Sequence, residues 1–148
     1  MTVRTRLLDR EVGRALSSVS ATAKRGLGDP ALAELVVIRA SQLNHCAFCL
    51  DMHLAAAREL GLSERQLDMV AAWEEAEGVF DERERAALAL TEAVTVLTEG
   101  FVPDQVYARA AAHFDEGQLA HLIGLITAIN NWNRVMVSRR IEPGGYPS

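Results

Sequence analysis

The sequence predicts an all-α protein, organised as a single-domain bundle of about six or seven helices. Three observations lead to this class. Helix start and stop signals recur along the chain, no two segments alternate in polarity as paired strands do, and the most apolar stretch is long enough for a helix. A chain of 148 residues can bury one hydrophobic core, so residues 1–148 are expected to form one domain.

Helix-boundary signals divide the first half of the chain. Asp29 followed by Pro30 is typical of an N-cap before a proline in the first helical turn. Gly61 is a natural C-terminal stop, because glycine adopts left-handed backbone angles easily. The predicted helices run from Arg4 to Lys24, from Asp29-Pro30 to about Gln42, and from near Cys46 to Gly61.

The second half contains further N-caps. Ser63-Glu-Arg-Gln66 has the spacing of a capping box. Asp81 and Asp115 are placed to cap the helices that follow them. The predicted helices run from Ser63 to Gly78, from Asp81 to Gly100, from Pro103 to about Phe114 and from Asp115 to about Arg139, and an irregular tail covers Glu142 to Ser148.

The last predicted helix is apolar on more than one face. A helix of this kind is buried on most of its sides. In so small a chain a second subunit could cover the extra face, which predicts a homo-oligomer, whereas a central core helix in a monomer is the alternative. The apolar positions are Leu119, Leu122, Ile123, Leu125, Ile126, Ile129, Trp132, Val135 and Met136.

Composition excludes several functional classes. The net charge is -5, and the 15 basic residues are scattered among 20 acidic ones, so the basic patch of a nucleic-acid-binding protein is missing. The apolar runs are too short to span a bilayer, which predicts no membrane segment. The N-terminal sequence has no apolar signal core, and we therefore expect a cytoplasmic location.

The candidate site lies between Glu34 and His53. The only two cysteines of the chain form a single Cys-x-x-Cys, Cys46 and Cys49, and His53 follows one helical turn later. At about 100° per residue these three side chains fall within a sector of roughly 60° on one helix. Cys49 and His53 form an i, i+4 pair, and the helix N-terminus favours a thiolate.

This set of residues predicts thiol redox catalysis. His53 is the candidate base for a thiol proton, and Glu34 is the carboxylate that could orient it. Glu34 can reach His53 only if the chain folds back at the turn around Asn44-His45. A cysteine oxidised to a sulfenic acid can condense with its neighbour into a disulfide. The predicted catalytic residues are Glu34, Cys46, Cys49 and His53, with no metal or other cofactor.

Three other interpretations of the same residues remain open. A zinc-binding module could use two or more of these side chains as ligands, although zinc sites usually take their ligand pairs from two separate segments. The cysteines could be inert core thiols, since free cysteine is often buried. They could also serve a redox-sensing module without turnover. The possible zinc ligands are His45, Cys46, Cys49, His53 and Glu34.

The pattern Glu34-x11-Cys46-x2-Cys49-x3-His53 resembles the alkylhydroperoxidase (AhpD-like) branch of the carboxymuconolactone decarboxylase family. The resemblance implies an all-α bundle in symmetric oligomers, often trimers or hexamers, that reduces organic hydroperoxides with electrons from a thiol donor such as a lipoylated protein. The similar segments, spread between about Leu32 and Pro143, include Ser41, Asn44, Asp51-Met52-His53, Ala71-Ala72-Trp73, Glu82 to Leu88, Thr91-Glu92 and Asn131 to Arg134.

The resemblance also implies a role for each site residue. Cys49 would attack the peroxide, and Cys46 would be the resolving thiol and meet the electron donor. Glu34 and His53 would form a proton relay through a water. The helix dipole alone favours Cys46 as the more acidic thiol, but the contact with His53 favours Cys49, and we take a positioned base as the stronger effect. His45 departs from the family, in which a small residue such as glycine is common at this position, and it leaves the donor and the substrate open.

Overall fold

A computed structural model of the protein describes residue 4 and residues 8–144. In this part of the chain all regular structure is helical, which confirms the predicted all-α class. No helix there is long and apolar enough to cross a membrane. The helices are α1 (Arg10–Leu27), α2 (Pro30–Leu43), α3 (Ala47–Glu59), α4 (Glu64–Met69) with a 3-10 turn (Val70–Ala72), α5 (Glu82–Thr95), α6 (Asp104–Ala111) and α7 (Glu116–Arg139).

The predicted N-caps open the helices as expected. The Asp29 carboxylate accepts a hydrogen bond from the Leu32 N–H at 3.1 Å. Each such bond satisfies an amide that has no partner inside the helix. Three reciprocal capping boxes fix the starts of α4, α5 and α7, and they pair Ser63 with Gln66, Asp81 with Glu84, and Asp115 with Gln118.

Several predicted boundaries were wrong. The first helix begins at Arg10 because Asp9 caps it, and Arg4 lies outside it. The predicted helix to Gly78 ends at the 3-10 turn, after which the chain turns to bury Trp73 against α5. α5 stops at Thr95 instead of Gly100, and α6 stops at Ala111 instead of Phe114. Residues 5–7 of the first predicted helix and residues 145–148 of the predicted tail lie outside the described residues.

The contacts of Trp73 explain why the helical segment ends at this residue. Its indole Nε1–H donates to Glu92 Oε1 at 2.7 Å, and its carbonyl accepts from Arg85 Nη1 at 2.9 Å. The guanidinium of Arg85 also lies over the ring, 5.3 Å from its centroid. These contacts with α5 hold Trp73 where the 3-10 turn ends, while the Trp73 carbonyl also accepts a local hydrogen bond from the Ala76 N–H.

The second helix forms the centre of the molecule. α2 packs against α1, α3, α5, α7 and the 3-10 turn, and an unbroken run of its residues, 32–38, is buried. A helix that is apolar on nearly all sides is buried in this way. One consequence is that Glu34, in the middle of this run, is placed in the interior. On α7, Ile123, Trp132 and Val135 stay half-buried in the single chain, and the homo-oligomer stays a prediction.

Candidate functional site

The turn between α2 and α3 brings the two cysteines together. Cys46 is the N-cap of α3, and its Sγ accepts a hydrogen bond from the Cys49 N–H at 3.4 Å. The two residues form a disulfide with their Cα atoms 5.4 Å apart. Both are almost wholly buried, at 1% and 2% exposure. Since a disulfide is the oxidised form of a dithiol, the pair can exist in two oxidation states.

Glu34 and His53 meet in the interior, as the predicted fold-back requires. His53 Nδ1 lies 2.8 Å from Glu34 Oε2, and the residues are only 8% and 5% exposed. A carboxylate can only accept hydrogen bonds, so Nδ1 carries the proton. Nε2 of the neutral imidazole is then the nitrogen that is free to take a proton from another group.

Lys24, on α1, is a site residue that the sequence analysis missed. Its Nζ lies 3.0 Å from Glu34 Oε1, so that both oxygens of the carboxylate are bound. Burial alone would raise the pKa of Glu34, but the hydrogen bonds of His53 and Lys24, and the positive charge that each carries when protonated, outweigh it and lower the pKa. Lys24 lies ten residues before Glu34 on another helix, and no local motif in the sequence marks it.

A cavity of about 570 Å³ opens over this group. Cys49 and His53 both contribute to its wall, together with Lys24. The rest of the wall is mostly apolar and comes from α1, α2, α3 and α7, while Cys46 is absent from it. The apolar side chains are Ala21, Val37, Phe48, Met52, Leu125, Ile129, Trp132 and Met136. A small apolar molecule in this cavity would therefore meet Cys49 first.

A buried amide network fixes the cysteine turn to α7. The Asn44 Nδ2 group donates to the side-chain oxygens of Asn130 and Asn133, both at 2.9 Å. Asn133, which is fully buried, donates to Ser41 Oγ at 3.0 Å. Buried polar groups that are satisfied in this way specify one arrangement of the backbone. Ser41, near the end of α2, and Asn44, at the start of the turn, are thus held by the same helix.

His45 occupies the most constrained backbone position of the turn. Its φ of 53° lies in the left-handed region, and its side chain is exposed. Among the described residues, we find no group of three or more His, Cys, Asp or Glu side chains that could hold a metal ion. The imidazole of His45 therefore does not join the predicted zinc ligands into such a group.

The left-handed angle predicts the effect of substitutions at His45. We expect His45→Gly to be more stable than His45→Ala by roughly 0.5–1 kcal/mol, because the left-handed strain on a Cβ exceeds the extra chain entropy of glycine. Urea unfolding of both reduced variants measures this difference. An alanine variant as stable as the glycine variant, or more stable, would contradict the assigned backbone strain.

The lowered pKa of Glu34 predicts a pH dependence of stability. A carboxyl whose pKa is lower in the folded state than its ordinary 4.5 stabilises the fold above that value, and this contribution is lost as the pH falls below it. Glu34→Gln should therefore lower the urea midpoint near neutral pH and should lose less than the wild type on acidification. Glu64→Gln is the control, since Glu64 also has a lowered pKa but pairs with Arg58 in full contact with water. Equal acid sensitivity of wild type and Glu34→Gln would contradict the prediction.

Comparison with known proteins agrees with this geometry. Residues 10–93 match the model of the carboxymuconolactone decarboxylase family. YdfG of Bacillus subtilis (strain 168) is 37% identical over 132 residues, 89% of this chain and 83% of that protein. YnjA of Escherichia coli (strain K12) is 38% identical over 104 residues, 70% of this chain and 56% of that protein.

Solved structures extend the comparison. A protein of unknown function from Agrobacterium tumefaciens, for which a role as the antioxidant defence protein AhpD has been suggested, superposes with a TM-score of 0.90. It is 32% identical, and the match covers 96% of this chain and 98% of that one. A peroxidase-related protein from Silicibacter sp. shares the fold, with a TM-score of 0.74, 21% identity and coverage of 91% and 71%. The chain belongs to the carboxymuconolactone decarboxylase family. Within that family it falls in the AhpD-like branch.

Proposed function

We propose that the protein is a thiol-dependent peroxidase that reduces organic hydroperoxides through Cys49, Cys46, His53 and Glu34. The observation that carries the proposal is the position of Cys49. It lines an apolar cavity, it is paired with a second cysteine, and the buried Glu34–His53 pair contributes to the same cavity wall through His53. The candidate nucleophile and its base thus share one cavity wall, and the candidate resolving thiol is bonded to the nucleophile.

The first step oxidises Cys49. In the reduced protein His53 takes the proton of the Cys49 thiol, and the thiolate attacks one oxygen of the hydroperoxide. The O–O bond breaks, Cys49 becomes a sulfenic acid, and the alkoxide leaves as an alcohol after taking the proton back from His53. Two electrons pass from sulfur to the peroxide. Glu34 holds the imidazole so that Nε2, not Nδ1, exchanges the proton.

The second step forms the disulfide. The Cys46 thiol attacks the sulfenic sulfur of Cys49, an S–S bond forms, and the hydroxyl leaves with a proton as water. A dithiol donor then returns two electrons and two protons, and both cysteines become thiols again. The family resemblance supports a lipoylated protein as this donor. The apolar wall favours hydroperoxides with a hydrocarbon group over hydrogen peroxide, because burial of that group adds to binding.

Steady-state kinetics test the proposal. The oxidised protein is mixed with dihydrolipoamide, and the consumption of tert-butyl and cumene hydroperoxides is compared with that of hydrogen peroxide. We expect turnover that needs the dithiol and a higher kcat/KM for the organic substrates. A dithiol that reduces the disulfide without any peroxide turnover would oppose the enzyme and favour the redox-sensing alternative. One zinc per chain bound by both cysteines, measured by elemental analysis, would oppose the redox function altogether.

Assembly is part of the same proposal. Members of this family are expected to form trimers or hexamers, and the half-buried apolar residues of α7 support a homo-oligomer here. Light scattering coupled to size-exclusion chromatography measures the mass, and a monomeric mass would contradict the expected assembly.

A further inference from the structure

Lys24 is a charged group at the site to which the peroxidase steps assign no role. Its Nζ binds Glu34 Oε1 at 3.0 Å, while His53 Nδ1 binds Oε2 at 2.8 Å. The carboxylate is therefore held at both oxygens by side chains from α1 and α3. We propose that Lys24 is a positioning residue of the relay, which fixes Glu34 and thereby sets the pH range in which Cys49 reacts. The inference rests on the proposed relay of Glu34 and His53.

Two charged side chains act on the Glu34 carboxylate. The electrostatic influences on the carboxylate come from His53 and Lys24, and the reduced Cys46 and Cys49 thiols are the further titratable groups at this site. α5 and α7 also pack against α2, but among the described residues no charged side chain of these two helices acts on the Glu34 carboxylate. On α5, Glu92 pairs with Arg39 and Arg83 with Asp29, and on α7, Arg134 binds Asn130 and His121 binds the Gly117 carbonyl.

The double contact has a chemical consequence. A carboxylate that binds only an imidazole can share the Nδ1 proton, which would weaken the control of the tautomer. The ammonium of Lys24 stabilises the ionised carboxylate, so the proton stays on Nδ1 and Nε2 stays basic. The lowered pKa of Glu34 agrees with this effect. Because the Lys24 side chain is 36% exposed, water screens part of its charge, and a moderate effect is expected.

The test measures the reactivity of Cys49 without peroxide. Cys46→Ser leaves Cys49 as the only thiol of the chain, and its alkylation by iodoacetamide is followed across pH. In this background Lys24→Gln removes the positive charge that faces the Glu34 carboxylate. Arg25→Gln is the matched control, since it removes the same charge one residue away, where the guanidinium contacts Thr22. Lys24→Arg restores a cation, and Lys24→Met repeats the charge removal with an apolar stem against the cavity wall.

We expect Lys24→Gln and Lys24→Met to move the acid limb of the curve of Cys49 alkylation rate against pH to higher pH. Loss of the positive charge of Lys24 favours the protonated forms of Glu34 and His53. At the acid end the rate should fall roughly three- to tenfold, with an unchanged alkaline plateau. Lys24→Arg should restore the wild-type limb, and Arg25→Gln should leave it in place. In a Glu34→Gln background, Lys24→Gln should add no further shift.

Three results would overturn the assignment. An equal shift of the acid limb in Arg25→Gln would mean that only the overall positive charge near the site matters. A shift caused by Lys24→Gln in the Glu34→Gln background would mean that Lys24 acts directly on the thiol. An unmoved limb in Lys24→Gln would also contradict it. Failure of peroxide turnover is a separate outcome, because alkylation needs no peroxide. It would contradict the proposed peroxidase activity, while the pH shift would still identify Lys24 as part of the relay.

Discussion

Replacing Cys49 with serine is expected to abolish hydroperoxide consumption, even in a single turnover of the reduced protein. Cys46→Ser should still consume about one equivalent of hydroperoxide and stop, because Cys49 can be oxidised but cannot form the intramolecular disulfide. Stopped-flow measurement of peroxide loss and trapping of the sulfenic acid by dimedone, with mass spectrometry, separate the two variants. Each serves as the matched control of the other, since both remove one sulfur from the same turn.

The reason for this asymmetry is the environment of each sulfur. Cys46, as the N-cap of α3, receives the favourable field of the helix N-terminus. Cys49 lines the cavity together with His53, the only imidazole that the described residues contribute to its wall. A positioned base removes a proton directly, whereas the helix field only biases the equilibrium. A sulfenic acid found on Cys46 in Cys49→Ser, and none on Cys49 in Cys46→Ser, would exchange the two roles.

His53→Gln and Glu34→Gln are expected to reduce kcat/KM for hydroperoxide by roughly 10²- to 10⁴-fold, the usual contribution of a general acid–base group. Glutamine keeps much of the size of each side chain and removes the proton transfer or the charge. The effect of Glu34→Gln should be the smaller of the two, since it acts through the orientation of His53. Steady-state rates with a saturating dithiol measure both.

Matched controls distinguish loss of the proton relay from loss of the folded structure. His113→Gln removes an exposed imidazole just after α6, at a residue that does not line the cavity, and should keep full activity. Urea midpoints of all variants show whether enough folded protein is present. Full activity of both His53→Gln and Glu34→Gln would rule out the relay, although the two cysteines could still be redox-active.

The sequence predicts most helix starts correctly because N-caps are local. Each N-cap side chain satisfies an amide within three residues, so its effect can be predicted from the adjacent residues. The N-caps are Asp29, Ser63, Asp81 and Asp115. Helix ends depend on the rest of the molecule. The predicted helix to Gly78 stops early because Trp73 binds side chains of α5, and no pattern within that segment indicates those contacts.

The same distinction applies to the candidate site. Cys49 and His53 lie on α3 and line the same cavity, as helical spacing predicts. Cys46 is the extended N-cap of that helix and is not part of the cavity wall, so the prediction that all three side chains share one helix face was wrong for Cys46. The contact of Glu34 with His53 needs a chain reversal, which the sequence allows but does not require. Lys24 and Trp132 reach the cavity from α1 and α7, and their positions follow from the packing of three helices. Such contacts between distant residues cannot be derived from spacing.

The amide network around Asn44 has a consequence for motion. Asn130 and Asn133 bind Asn44 at the start of the turn that leads to Cys46, and Ser41, near the end of α2, is bound to Asn133 as well. We therefore expect the backbone of this turn to keep its position when the disulfide is reduced. Making and breaking the disulfide should then need only small rotations of two side chains. In the proposed peroxidase cycle, the change between the two oxidation states should involve few atoms and exchange little conformational entropy.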